Sequence, residues 1–209
     1  MSSRTLAASY VVAALCGAVA LSLGSVVAGE HAPTGLDQAF ESGVADVFGG
    51  SWVLSVLVAP TEPWAVLPVL GVVAVAGVVR RRPDLTALAV SAPAVAVGLN
   101  TVVLKPWFGR YYDDHLAYPS GHTVSLVATV TVVALSVSTT RTRVLTVVVG
   151  VVLTGCAAVG MAGLGYHYVT DVVGGAATAV AVTLGMAPPV RAAVTSGFRT
   201  GPRRRGPVP

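Results

Sequence analysis

Residues 118–123 read Tyr-Pro-Ser-Gly-His-Thr and stand where a polar loop meets a long apolar run. Ser120 is a good helix N-cap, and Pro119 stops the helix from extending backward. Gly121 leaves room for an anion to approach the free N–H groups of the first turn, where the helix dipole favours negative charge. His122 then stands on that turn, beside the anion. A second histidine, His167, lies four residues before Asp171. If both are helical, this spacing puts them on one face. A carboxylate can hold one ring nitrogen and leave the other free as nucleophile or base. Lys105 and Arg110 add positive charge ahead of this pair of motifs. Two histidines, a carboxylate, a helix start and two cations suit phosphate chemistry. A capped helix with an interfacial histidine, a structural His–Asp hydrogen bond and a snorkelling lysine account for the same residues without catalysis. A zinc site would need third and fourth ligands, and none stands at useful spacing.

The elements that must position these residues are membrane helices. Hydrophobic residues make up 54% of the chain and charged residues only 11%, against about 25% charged in a typical soluble domain. The mean hydropathy is +0.78. Six apolar stretches approach the length of about 20 residues that a spanning helix needs. They predict an all-α polytopic bundle with six transmembrane helices, at about 6–28, 63–79, 85–104, 120–139, 144–163 and 168–188. The first run is longer than the roughly 7–15 apolar residues of a signal peptide and is read as a retained span. Pro60, Pro63 and Pro68 interrupt the second, so 51–61 is a partly inserted lead-in and the span starts near Pro63. Residues 30–50 form a mildly amphipathic outer segment that either lies along the interface, covers the site or merely connects. Together 1–190 form one membrane-embedded domain. Residues 191–209, rich in Pro, Gly and Arg, form a basic tail expected to be disordered. Cys16 and Cys156 fall within apolar runs and read as small buried hydrophobes.

Charge placement orients the bundle. With the N-terminus inside, 11 of the 13 basic residues are cytoplasmic, and only Lys105 and Arg110 are outside. Eight of the nine acids fall outside, and only Asp84 is inside. This agrees with the excess of basic residues in cytoplasmic loops. Both termini are therefore expected in the cytoplasm of a multi-pass cell-membrane protein. The net charge of +4 describes a cytoplasmic rim near anionic lipid and points to no nucleic acid. The same topology brings Lys105, Arg110, His122, His167 and Asp171 to the outer interface. Five tyrosines cluster there, and they read as an interfacial belt. His115 and His31 read as solvated loop residues. A small transporter is disfavoured, because no ionisable residue lies in the middle of a span. Oligomeric state leaves no mark in the sequence.

Lys105…Arg110, Tyr118-Pro119-Ser120-Gly121-His122 and His167-Tyr168-Val169-Thr170-Asp171 resemble the three signature motifs of the type 2 phosphatidic acid phosphatase family, over roughly residues 60–190. The resemblance implies an integral membrane lipid phosphatase that needs no metal or other cofactor. His167 would attack phosphorus and form a phosphohistidine, Asp171 would orient it, and His122 would protonate the leaving oxygen. Ser120, Gly121 and Lys105 would hold phosphate oxygens. The implied substrates are amphiphiles: polyprenyl phosphates or pyrophosphates and glycerolipid phosphates, drawn from the surrounding membrane lipid. Two departures stand out. The family's first motif has Arg-Pro where this chain has Tyr112-Asp113, leaving Arg110 as the stand-in. Its third motif opens with Ser-Arg where this chain has Gly160-Met161. An arginine clamp is worth about 3–4 kcal/mol in a transition state, or about 10² to 10³ in rate. A non-catalytic member that binds lipid phosphate or supports a cell-envelope complex is therefore the alternative.

Overall fold

The computed structural model describes residues 3–199. Among the described residues, nine α-helices carry the fold: α1 (Ser3–Val27), α2 (Gly35–Phe48), α3 (Val53–Val58), α4 (Pro63–Val79), α5 (Pro83–Leu99), α6 (Lys105–Phe108), α7 (Gly121–Ser136), α8 (Thr140–Gly163) and α9 (Val169–Arg199). Strands β1 (Tyr111–Tyr112) and β2 (His115–Leu116) pair antiparallel in a small hairpin. Among the described residues, five helical stretches are long and apolar enough to cross a membrane: Thr5–Val27, Val53–Val79, Pro83–Phe108, Thr140–Gly163 and Val169–Ser196. The all-α polytopic architecture therefore holds. The sixth expected span is the shorter apolar helix Gly121–Ser136. At 1.5 Å per residue it is about 24 Å long, below the ~30 Å of a hydrocarbon core.

Proline and glycine set the boundaries. Pro63 and Pro83 occupy the first turns of α4 and α5, where a missing N–H costs nothing. Residues 53–79 run as one stretch, with only a 3₁₀ turn at Ala59–Thr61 between α3 and α4. The third span continues beyond 104: a π-turn at Asn100–Leu104 joins α5 to α6, and Gly109 ends the run in the left-handed conformation (φ 57°). Lys105 therefore sits on a helix end rather than in a loop. α9 runs to Arg199, past the expected end at 188, so 191–199 are helical. The rest of the expected disordered tail, 200–209, lies outside the described residues.

α9 is the hub, packing against α1, α5 and α7, while α4 packs on α5 and α3 on α8. Small residues let backbones approach, the usual device where lipid removes the hydrophobic drive between helices. An added Cβ at Gly24 or at Gly174 would strike the Tyr118 ring. That ring thus fills a slot between α1 and α9, and its hydroxyl donates to the Ala20 carbonyl. Outward-facing positions such as Val72, Val79, Val102 and Val151 are exposed and apolar, as a lipid-facing surface requires.

Candidate active site

Each motif residue is placed by a helix terminus. Ser120 caps α7: its Oγ accepts from the Thr123 N–H at 3.4 Å and from the Thr123 hydroxyl at 3.2 Å. The Ser120 N–H donates to the Asp171 carbonyl at 3.0 Å, which ties the start of α7 to the start of α9. Gly175 makes that contact possible, because a Cβ there would collide with the Ser120 carbonyl oxygen. Asn100, fully buried in the π-turn, donates to the Pro119 carbonyl at 3.2 Å. π-turns often mark functional sites, and this one carries both Asn100 and the approach to Lys105.

His167 does not share a helix face with Asp171, because it precedes α9 by two residues. Asp171 is in the first turn, where its Oδ2 accepts from the Tyr168 N–H at 3.0 Å, as a carboxylate does in a capping box. His167 Nδ1 lies 3.8 Å from Asp171 Oδ2, beyond hydrogen-bond distance, and it is buried without a partner. Closing that gap by about 1 Å would make the hydrogen bond, and apo sites often hold such contacts long. The His167 side chain is 5% exposed. Burial pushes its pKa below the ordinary histidine value; Asp171 opposes the shift, while Lys105 and His122 reinforce it.

The two histidines meet. The His122 and His167 ring centroids are 5.7 Å apart and steeply inclined. His115 also approaches His167, at 6.0 Å, with its Nε2 2.9 Å from the Tyr166 carbonyl oxygen. It is therefore part of the rim rather than an isolated loop residue. His122 Nε2 lies 3.9 Å from Glu62 Oε1, a carboxylate whose only sequence signal is that it breaks an apolar run. The Lys105 ammonium donates to the Leu116 carbonyl, and its charge bears on both His122 and His167.

Arg110 does not open onto this site. Its side chain is 0% exposed. One terminal nitrogen contacts Asp171 Oδ1 at 2.6 Å and the Thr170 hydroxyl at 2.5 Å, and the other contacts Asp37 Oδ2 at 2.7 Å. The Tyr168 ring covers the guanidinium at 4.4 Å. The arginine expected to stand in as a phosphate ligand is committed to two carboxylates. At the other departure, Met161 is fully buried among Val58, Ala157, Ala158 and Val172, and its sulfur receives the Ser120 hydroxyl at 3.6 Å. An apolar plug with a weak acceptor thus occupies the family's arginine position.

Asp37 was not marked by any motif spacing. It reaches Thr170 across 133 positions, accepting from its N–H at 3.0 Å and its hydroxyl at 2.8 Å. The legible signal is local: Thr34-x-x-Asp37 forms a reciprocal capping box at the start of α2. Burial raises the Asp37 pKa, but hydrogen bonds from Thr170, Arg110 and Thr34 outweigh it and hold the carboxyl below its usual range. Among the described residues, no group of three or more His, Cys, Asp or Glu side chains is arranged to hold a metal ion.

A family model described as the PAP2 superfamily matches residues 77–193. That stretch contains every motif residue from Lys105 to Asp171 and excludes α1 and α2. No curated protein and no solved structure matches the chain.

Proposed function

The chain belongs to the PAP2 superfamily, a family of phosphatases, and from that premise we propose that it hydrolyses a lipid phosphate or pyrophosphate at the outer face of the membrane through a phosphohistidine. The observation that carries this reading is the meeting of the His122 and His167 rings, 5.7 Å apart, beside Lys105 and the N-terminus of α7. His167 Nε2, on the ring edge opposite the nitrogen that faces Asp171, attacks phosphorus. The bond from phosphorus to the leaving oxygen breaks, and His122 gives that oxygen a proton. Asp171 holds the proton on His167 Nδ1 and stabilises the charge that forms on the ring. His122, now neutral, takes a proton from water as the water attacks phosphorus, and phosphate leaves His167. Lys105, the Ser120 hydroxyl and the Gly121 N–H at the start of α7 hold the nonbridging oxygens, while the Ser120 N–H stays on the Asp171 carbonyl.

The positions of the charges support an outward site with both termini in the cytoplasm, and a six-span reading counts α7 as the sixth. The substrate is an amphiphile, polyprenyl or glycerolipid, because the site residues stand at the ends of apolar helices. Purified protein in detergent should release phosphate from phosphatidic acid or a polyprenyl pyrophosphate with a metal chelator present, and His167→Ala should abolish release. Equal inactivity of the two proteins on both substrates overturns the reading. It would favour binding without turnover, which the burial of Arg110 and of Met161 already recommends as the second reading.

A further inference from the structure

Three side chains that are each 0% exposed form a charged relay under the site: Asp37 on α2, Arg110 before β1 and Asp171 on α9. A lone guanidinium sealed between two carboxylates is costly to desolvate, and such groups persist when every member is hydrogen-bonded. Asp37 is the most heavily bonded of the three. Its two oxygens receive Arg110 at 2.7 Å, the Thr170 N–H at 3.0 Å, the Thr170 hydroxyl at 2.8 Å and the Thr34 N–H and hydroxyl at 3.0 and 2.8 Å. Both terminal nitrogens of Arg110 are engaged, and its Nε is buried without a hydrogen-bond partner. Its two ends fix Asp37 on one side and Asp171 with Thr170 on the other. Asp171 Oδ1 is consequently pinned, and its Oδ2, held by the Tyr168 N–H, is the oxygen that faces His167.

We propose that Asp37 is a positioning residue of the catalytic site: through Arg110 and Thr170 it sets where the Asp171 carboxylate stands against His167, which makes the outer helix α2 part of the working enzyme. The inference rests on the reading of His167 as nucleophile. Removing Asp37 frees Arg110 to draw toward Asp171 alone and releases the first turn of α9 from α2. Either movement displaces the carboxylate that must close the last ångström to His167 Nδ1. Misplacement of about 1 Å can cost about 10²-fold in rate. Substrate phosphate does not touch Asp37, so the loss belongs in kcat.

The test combines steady-state kinetics on phosphatidic acid in detergent with orthovanadate binding by calorimetry, for wild type, His167→Ala, Asp37→Asn, Asp171→Asn and the double variant Asp37→Asn/Asp171→Asn. Only monodisperse, folded protein is compared. Asp37→Asn should lower kcat by about 10- to 100-fold with KM nearly unchanged. In the Asp171→Asn background it should lower kcat no further, because residues acting as a unit are non-additive. A purely structural Asp37 would give full additivity or an unchanged kcat, and either result overturns the proposal. Thr170→Val removes the hydroxyl between the two carboxylates and keeps both charges. It should lower kcat in the same sense by a smaller factor, and it carries the same cycle if Asp37→Asn does not fold. His167→Ala should lose vanadate binding. If it binds vanadate as wild type does, the phosphatase reading fails and takes this proposal with it. If it loses binding while Asp37→Asn matches wild type in kcat, only the role of Asp37 fails.

Discussion

On the proposed mechanism His167 must be neutral to attack, and its surroundings favour that state. Burial lowers its pKa, with Asp171 opposing and Lys105 and His122 reinforcing. A nucleophilic His167 is deprotonated above that lowered value, so under the proposed mechanism the acid limb of kcat/KM should fall below the ordinary histidine value of about 6.5. Asp171→Asn removes the opposing influence and should move the limb lower still. A limb at or above 6.5 would mean that the titrating group is not this buried ring. Met161 gives a second test. It is enclosed by Val58, Ala157, Ala158 and Val172 and its sulfur touches the Ser120 hydroxyl, so Met161→Arg buries a charge against an apolar wall. The substitution restores the family residue, yet it should lower the thermal midpoint in detergent and leave turnover no higher. A midpoint equal to wild type with raised turnover would show that the pocket still accepts the clamp.

At the scale of elements, the N-terminus of α9 is the joint of the molecule. α2 meets it through Asp37, α7 through the Ser120 N–H, and α1 through the Tyr118 ring lodged beside Gly174. Gly174→Val should destabilise by about 1–3 kcal/mol or more through overpacking. Gly185→Val on the same helix, with nothing near its Cβ, should change the midpoint little. Asp37 contributes pH-dependent stability of a definite sign. Its folded pKa is held below the usual range, so the contribution is fully present above the unfolded value of about 3.9 and is lost as pH falls through the folded value. The stability gap between wild type and Asp37→Asn should be wide at neutral pH and narrow toward pH 3 on thermal melts. A gap that stays constant with pH would contradict a paired carboxylate. The element ends were largely legible: Ser120 as a cap, Pro63 as a start and the long apolar runs all follow from local rules. The π-turn at Asn100–Leu104 was not legible, because no propensity distinguishes it from continuing helix. The i, i+4 spacing of His167 and Asp171 misled, because the helix starts between them.

For the whole molecule, apolar composition and the placement of 13 basic and nine acidic residues made the polytopic class readable, and the expected orientation follows from the same charges. A reporter fused after residue 209 should be cytoplasmic, and an external signal would reverse the topology on which an outward site depends. The convergence of His122 and His167 was readable from topology alone, since both stand at helix ends on the same side. What composition could not reveal was long-range charge pairing. Arg110 looked like a free outer cation, yet it is sealed between carboxylates 73 and 61 positions away, a match that no local spacing encodes. On the proposed reading, the positive charge available to a phosphate therefore reduces to Lys105, the start of α7 and His122 in its protonated form, which makes the proposed nucleophile His167 the point to probe. The direct measurement is a rapid alkaline quench of the protein turning over phosphatidic acid labelled with radioactive phosphorus, followed by peptide mapping. Label on the peptide that contains His167, absent from His167→Ala, is the result required. Phosphate release at wild-type rate with no label on that peptide, or label that persists in His167→Ala, would contradict a phosphohistidine at His167.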